Sequence, residues 1–242
     1  PYQVTATVGG QSQAVTIKGM CQGSQCNNPT PGKNMIAYMA NWDIYARKFF
    51  VKDMPINTIN SIPYAFLNYD TQGNIKLFDP NSDQKLLPQL SMLRKRYPYL
   101  DASISIGGWT LSADFSAMAA NPTTRANFVK QAVAAMKQFS MTGVDIDWEY
   151  PILRQGAPGD GTHFAALLTD LRAALNHQAK VDSEMTNQQV HYKLSIAAPG
   201  GVDKLDAIQK DDPSAWGKIF AAVDQVNVMT YDFHGAFDQD SD

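Results

Sequence analysis

From residue 34 onward, short apolar runs alternate with longer stretches in which apolar positions recur every three to four residues. The runs at 35–41, 62–69, 102–107, 143–150, 191–198 and 226–232 read as strands, and the stretches at 82–97, 122–140, 161–180 and 203–222 as amphipathic helices. Asn121-Pro122 and Gly161-Thr162 are suited to start two of those helices. Strands spaced by helices in this way predict parallel βα units. A doubly wound open sheet would carry a Gly-rich phosphate turn after its first strand, whereas that turn here reads Asn41-Trp42-Asp43-Ile44-Tyr45. Polar groups gather instead at strand ends, in Ser105-Ile106-Gly107-Gly108-Trp109, Asp147-Trp148-Glu149, Ala198-Pro199-Gly200-Gly201 and Tyr231-Asp232. The predicted fold is therefore α/β, a (β/α)8 TIM barrel with its chemistry at the C-terminal ends of the strands. About six of its βα units are present, over residues 34–242. Six units alone leave two sheet edges open, and such a stretch in isolation is expected to be neither stable nor fully active.

Ahead of the barrel, residues 2–19 hold two β-branched alternating runs around Gly9-Gly10, the pattern of a hairpin. A linker-like stretch follows, containing Asn27-Asn28-Pro29-Thr30-Pro31-Gly32. Residues 1–33 are accordingly expected to be the tail of an upstream β module with its linker. Cys21 and Cys26, the two cysteines of the chain, are spaced to close a small disulfide loop or to remain free thiols.

The stretch 143–150 departs from the other strands because every second residue is acidic. A period of two puts Asp145, Asp147 and Glu149 on one face and Val144, Ile146 and Trp148 on the other, so Trp148 is expected in the core between strand and helices. Two unit charges about 5 Å apart at an effective dielectric near 20 repel by roughly 3 kcal/mol, on the order of two pKa units. Three readings follow: a solvated acidic strand, a row neutralised by a cation, or a row that shares a proton and keeps one member as a general acid. Asp-x-Asp pairs also hold divalent cations, but no Gly-rich phosphate loop accompanies this one.

Composition narrows the classes. The 242 residues carry a net charge of -3, with 44% hydrophobic and 18% charged residues, which is ordinary for a globular protein. Nothing basic points to nucleic acid or an anionic membrane, and no apolar run approaches the roughly 20 residues that span a bilayer. The tail Asp238-Gln239-Asp240-Ser241-Asp242 begins like a calcium loop without that pattern's glycine and final glutamate.

Three motifs in order, Ser105-Ile106-Gly107-Gly108, Asp145-Ile146-Asp147-Trp148-Glu149-Tyr150-Pro151 and Met229-Thr230-Tyr231-Asp232-Phe233-His234-Gly235, resemble family 18 glycoside hydrolases, the retaining chitinases. Tyr64-Ala65-Phe66 agrees with them. The resemblance covers about residues 34–235 and implies hydrolysis of β-1,4-linked N-acetylglucosamine, with the substrate's own 2-acetamido oxygen as nucleophile and an oxazolinium intermediate. It implies that Glu149 is the acid and then the base, that Asp147 stabilises the oxazolinium, and that Asp145 shares a proton with Asp147. Tyr231 would orient the acetamido carbonyl; Tyr38 and Ser105 would support Asp145. Met229 and Asp232 would border the sugar, and Trp109 would be a stacking platform beyond the cleavage point. Read without the resemblance, Met229 fills the barrel, Trp109 caps the helix layer and His234 is a loop residue. The family pattern has an aspartate three residues before Asp145; Thr142 stands there and is expected to alter the hydrogen bonds behind the acids. No cofactor or metal is implied, and the partners are chitin or its oligosaccharides, with further domains or a larger assembly left open. An insoluble extracellular substrate and a disulfide both fit export. The rival reading is a catalytically silent carbohydrate-binding protein on the same fold, and N-glycan cores or peptidoglycan are other substrates open to the same mechanism.

Overall fold

A computed structural model describes residues 2–8, 11–17 and 27–233. The cysteine pair, His234 and the acidic tail lie outside them. Strands β1 (Tyr2–Val8) and β2 (Gln11–Ile17) pair antiparallel with Val8 opposite Gln11, the register of a hairpin. The main sheet is built from β3 (Met39–Ala40), β4 (Ser61–Tyr69), β6 (Asp101–Gly107), β7 (Gly143–Asp147), β8 (Lys193–Pro199) and β9 (Gln225–Met229), side by side in that order with every neighbour parallel. Spatial order that follows chain order is the mark of successive βα units, and the sheet is the arc of an incomplete (β/α)8 barrel. One short strand, β5 (Ile75–Leu77), runs antiparallel against β4.

Between the strands lie α1 (Pro80–Arg96), α2 (Phe115–Ala120), α3 (Pro122–Gln138), α4 (Asp160–Thr186), α5 (Val202–Asp211) and α6 (Ala215–Ala222). Two helix starts follow from local chemistry. Asp79 accepts from the amides of Asn81 and Ser82 ahead of Pro80, and Asn121 accepts from that of Thr123 ahead of Pro122, so each cap satisfies amides that the helix cannot. The buried positions of α4, Phe164, Leu167, Leu168, Leu171 and Leu175, repeat every three to four residues and form its sheet-facing stripe.

Several boundaries correct the sequence reading. The predicted helix 203–222 is two helices: Asp212 is extended (φ -138°, ψ 105°) because the ring of Pro213 disfavours helical backbone before it, and Asp212 then accepts from the amide of Ser214. The first strand keeps a two-residue ladder plus a bridge from Ile36 to Ser61, and β4 is its one partner among the described residues. The acidic strand ends at Asp147 and the last strand at Met229, so Glu149, Tyr231 and Asp232 belong to the loops that follow.

Candidate active site

The site is assembled on the C-terminal ends of β6 and β7. Asp145 pairs in register with Ser105 on one side and Ser195 on the other, which turns all three side chains to the same face of the sheet. The Asp145 carboxyl accepts from Ser105 Oγ at 2.7 Å and Tyr38 OH at 3.0 Å on Oδ2, and from Ser195 Oγ at 2.5 Å on Oδ1. Burial raises its pKa and these three hydroxyls oppose the rise. Tyr38 is held in turn by Asn227 Nδ2 at 3.0 Å. The supports predicted at Tyr38 and Ser105 are thus both in contact with Asp145.

Two residues on, Asp147 meets a different environment. It is 5% exposed, and its Oδ1 has no hydrogen-bond partner among the described residues. Burial first, then the charges of Glu149 and Asp145, hold its carboxyl well above the ordinary value. The donors to Asp145 are three hydroxyls, and no hydroxyl or amide of the described residues reaches Oδ1 of Asp147.

Glu149 leaves the ladder. Its amide donates to Ser112 Oγ at 2.8 Å, and Ser112 donates to the carbonyl of Gly108 at 2.9 Å. The residue is 9% exposed, and burial raises the pKa of its carboxyl; Tyr150 and Arg154 oppose that rise, while Asp232 adds to it. Two glycines make this junction possible. Gly107 (φ +114°) runs so close to β7 that an added Cβ would lie 2.2 Å from the Asp147 carbonyl, and one on Gly108 (φ +97°) would lie 2.7 Å from the Phe66 ring. The loop after Glu149 is tied down by buried Asp160, which accepts from the amides of Ile152 (3.0 Å) and Ala157 (2.7 Å) and from Ser116 Oγ (2.7 Å).

On the opposite face of the same stretch, Trp148 is 2% exposed, stacked on Phe115 at 5.1 Å and edge-on to Phe164 at 5.4 Å, as the alternation predicts. Trp109 is exposed just beyond β6 and edge-on to Tyr150 at 6.4 Å. Tyr231 is exposed beyond β9, within reach of the acids: burial and then the charges of Asp147 and Glu149 raise the pKa of its phenol. Met229 is half-buried at the end of β9, and Asp232 follows Tyr231 with φ +55°. Thr142 sits at the opposite end of β7, where its Oγ1 accepts from the amide of Ala102 at 2.9 Å. Its hydroxyl therefore engages backbone rather than the acids. Among the described residues, no group of three or more His, Cys, Asp or Glu side chains is arranged to hold a metal ion.

Sequence reasoning missed Ser195, Ser112, Asn227, Asp160 and Arg154. Ser195 and Asn227 carried a signal, since both are polar residues at alternate positions of apolar strands. The other three lie in loops or helix ends whose paths are fixed by tertiary contacts.

Comparison with known proteins adds an independent line. The model of the family described as "Glycosyl hydrolases family 18" matches residues 34–242. Endochitinase 1 of Metarhizium anisopliae is 34% identical over 221 residues, covering 84% of this chain and 49% of the relative. Chitinase ChiA74 from Bacillus thuringiensis superposes with a TM-score of 0.73 at 27% identity, covering 84% of this chain and 40% of that one. A Group IV chitinase of Ostrinia furnacalis, solved in complex with allosamidin, gives 0.67 at 28% identity over 84% of this chain and 52% of that one. The chain spans about half the length of the curated relatives it matches.

Proposed function

The chain belongs to glycosyl hydrolase family 18, and from that premise we propose that it serves a chitinase, cleaving β-1,4 bonds between N-acetylglucosamine units with retention. The observation that carries the reading is the contrast within the acid row: a satisfied Asp145, an orphaned Asp147 and a Glu149 at the edge of the interior. Glu149, with its pKa raised by burial, keeps its proton to a higher pH than a free glutamate and gives it to the glycosidic oxygen. The substrate's acetamido oxygen attacks the anomeric carbon from the face opposite that bond as it breaks, so water later arrives on the face the leaving group vacated and the configuration is retained.

Asp147 fits the remaining task. A buried acceptor without a donor gains most from an N–H delivered by the ligand, and the acetamido N–H becomes more acidic as positive charge spreads over the oxazolinium. Asp145 would stand behind Asp147, its carboxyl held in place by three hydroxyl donors. Tyr231 would align the acetamido carbonyl, Met229 and Asp232 would border the sugar, and Trp109 would carry a sugar beyond the scissile bond. Water then attacks the anomeric carbon, and Glu149, now a carboxylate, takes its proton. The intact acid set favours this reading over a silent binding protein. Chitin or its oligosaccharides are the partners of this reading, residues 1–33 are the tail of an upstream β module, and export fits the substrate.

The test is hydrolysis of chitin oligosaccharides by the full-length protein, with the first-formed anomer read by NMR. Initial β-anomer, and a loss of about 10²–10⁴-fold in kcat in Glu149→Gln, are expected. Initial α-anomer, or near-normal turnover in the variant, would refute the assignment.

A further inference from the structure

The loop between Tyr150 and Asp160 holds an arginine that no step above requires. The Cζ of Arg154 lies 3.8 Å from the centroid of the Trp109 ring, and its Nη1 donates to the Trp109 carbonyl oxygen. Ile152 (φ +71°) and Arg154 (φ +60°) both adopt left-handed backbone that side chains with a Cβ disfavour, and for the β-branched Ile152 this is a true outlier. Such a path persists only where its surroundings fix it. Here Asp160 holds Ile152 and Ala157 by their amides, Gly156 donates to the carbonyl of Leu153 at 2.9 Å, and Gly159 donates to Asp211 at 2.7 Å.

We propose that Arg154 is a positioning residue: it caps one face of Trp109 and fixes that ring as a plate, leaving the opposite face for a sugar on the leaving-group side of the scissile bond. This rests on the chitinase reading above. A planar guanidinium can both stack on the indole and hydrogen-bond in its own plane, which a lysine ammonium cannot do. Arg154 also acts on Glu149 through its charge. The groups that bear on that carboxyl are Tyr150, Arg154 and Asp232, with Asp147 and Tyr231 coupled to it from β7 and from the loop after β9; Lys204 of α5 lies 5.6 Å from the Tyr150 ring. Arg154 is the cation among the groups that act directly on Glu149, and it favours the ionised form.

The two roles separate in two variants and two substrates: chitin oligosaccharides, which have a sugar on the leaving side, and chitobiosyl fluoride, whose leaving group is a single atom that covers no ring. Arg154→Lys keeps the charge and loses the stacked plane, so KM for oligosaccharides should rise about fivefold with the fluoride nearly unchanged and the pH profile unmoved. Arg154→Met should show the same rise and also move the alkaline limb of kcat/KM up by roughly half a pH unit, because Glu149 then holds its proton longer. In a Trp109→Phe background the lysine effect should shrink, since the two residues act as one unit. Should Arg154→Met fail to fold, Arg154→Gln supplies the charge-free comparison. Wild-type hydrolysis of both substrates with oligosaccharide KM within twofold in every variant overturns the role of Arg154 alone. Absence of wild-type hydrolysis overturns the functional reading and this inference with it.

Discussion

At the N-terminal ends of the strands, partly exposed carboxylates have basic side chains beside them. Lys193 at the start of β8 meets Asp101 at the start of β6, and Asp224 before β9 takes Arg172 Nη1 and His191 Nε2, each at 2.8 Å. At the C-terminal ends of the same strands Asp145 has three hydroxyls, and Asp147 Oδ1 has no partner among the described residues. Cations at the first end compensate charge for its own sake, and the cost of burial there is low. Hydroxyls at the second satisfy a carboxyl without placing a full charge beside it, and an orphaned acceptor is a standing cost to the fold that a ligand can relieve. One end of the sheet is arranged for stability and the other for reactivity.

Asp147→Asn attacks the contrast most strongly. It should lower kcat on chitin oligosaccharides by roughly 10²–10³-fold while leaving the melting temperature equal or higher. The pH dependence of stability should change as well. The folded protein holds the Asp147 proton more tightly than the unfolded chain, so its contribution is greatest in acid and declines as pH rises from about 4 through the folded-state value. Thermal melts of the asparagine variant across that window should be flatter; an equally steep decline would locate the cost elsewhere. Ser195→Ala is a milder version, removing one of the donors to Asp145, and should cost roughly tenfold in kcat with a small loss of stability. Unchanged turnover would mean that Tyr38 and Ser105 suffice.

At the other end, Arg172→Met removes bonds to Asp224 and to the Tyr192 carbonyl and should cost about 1–2 kcal/mol in denaturant melts. Its kcat should match the parent. A kinetic defect would show that the two ends are coupled and would break the division drawn above.

The elements that were legible in the sequence are those governed by local periodicity. The alternation of 143–150 placed Asp145 and Asp147 inward and Trp148 outward, and the structure has them so. The same alternation carried one step too far, because Glu149 looks like the next residue of the strand but bonds to Ser112 in a loop. The break between α5 and α6 was written in Asp212-Pro213 and was overridden by the apolar period around it. Asp160 and Arg154 had no local signal at all, for their roles depend on Ser116, on Trp109 and on a left-handed loop that only the assembled fold defines.

The interleaving of acids and core side chains on β7 also restricts how this stretch can change over generations. A single-residue insertion or deletion would send Asp145 and Asp147 into the helix layer and Val144 and Ile146 into the cleft, losing packing and chemistry together. Substitution in place remains open to it, and length change does not. Among descendants of this chain, the reading frame of β7 should outlast most of its individual letters.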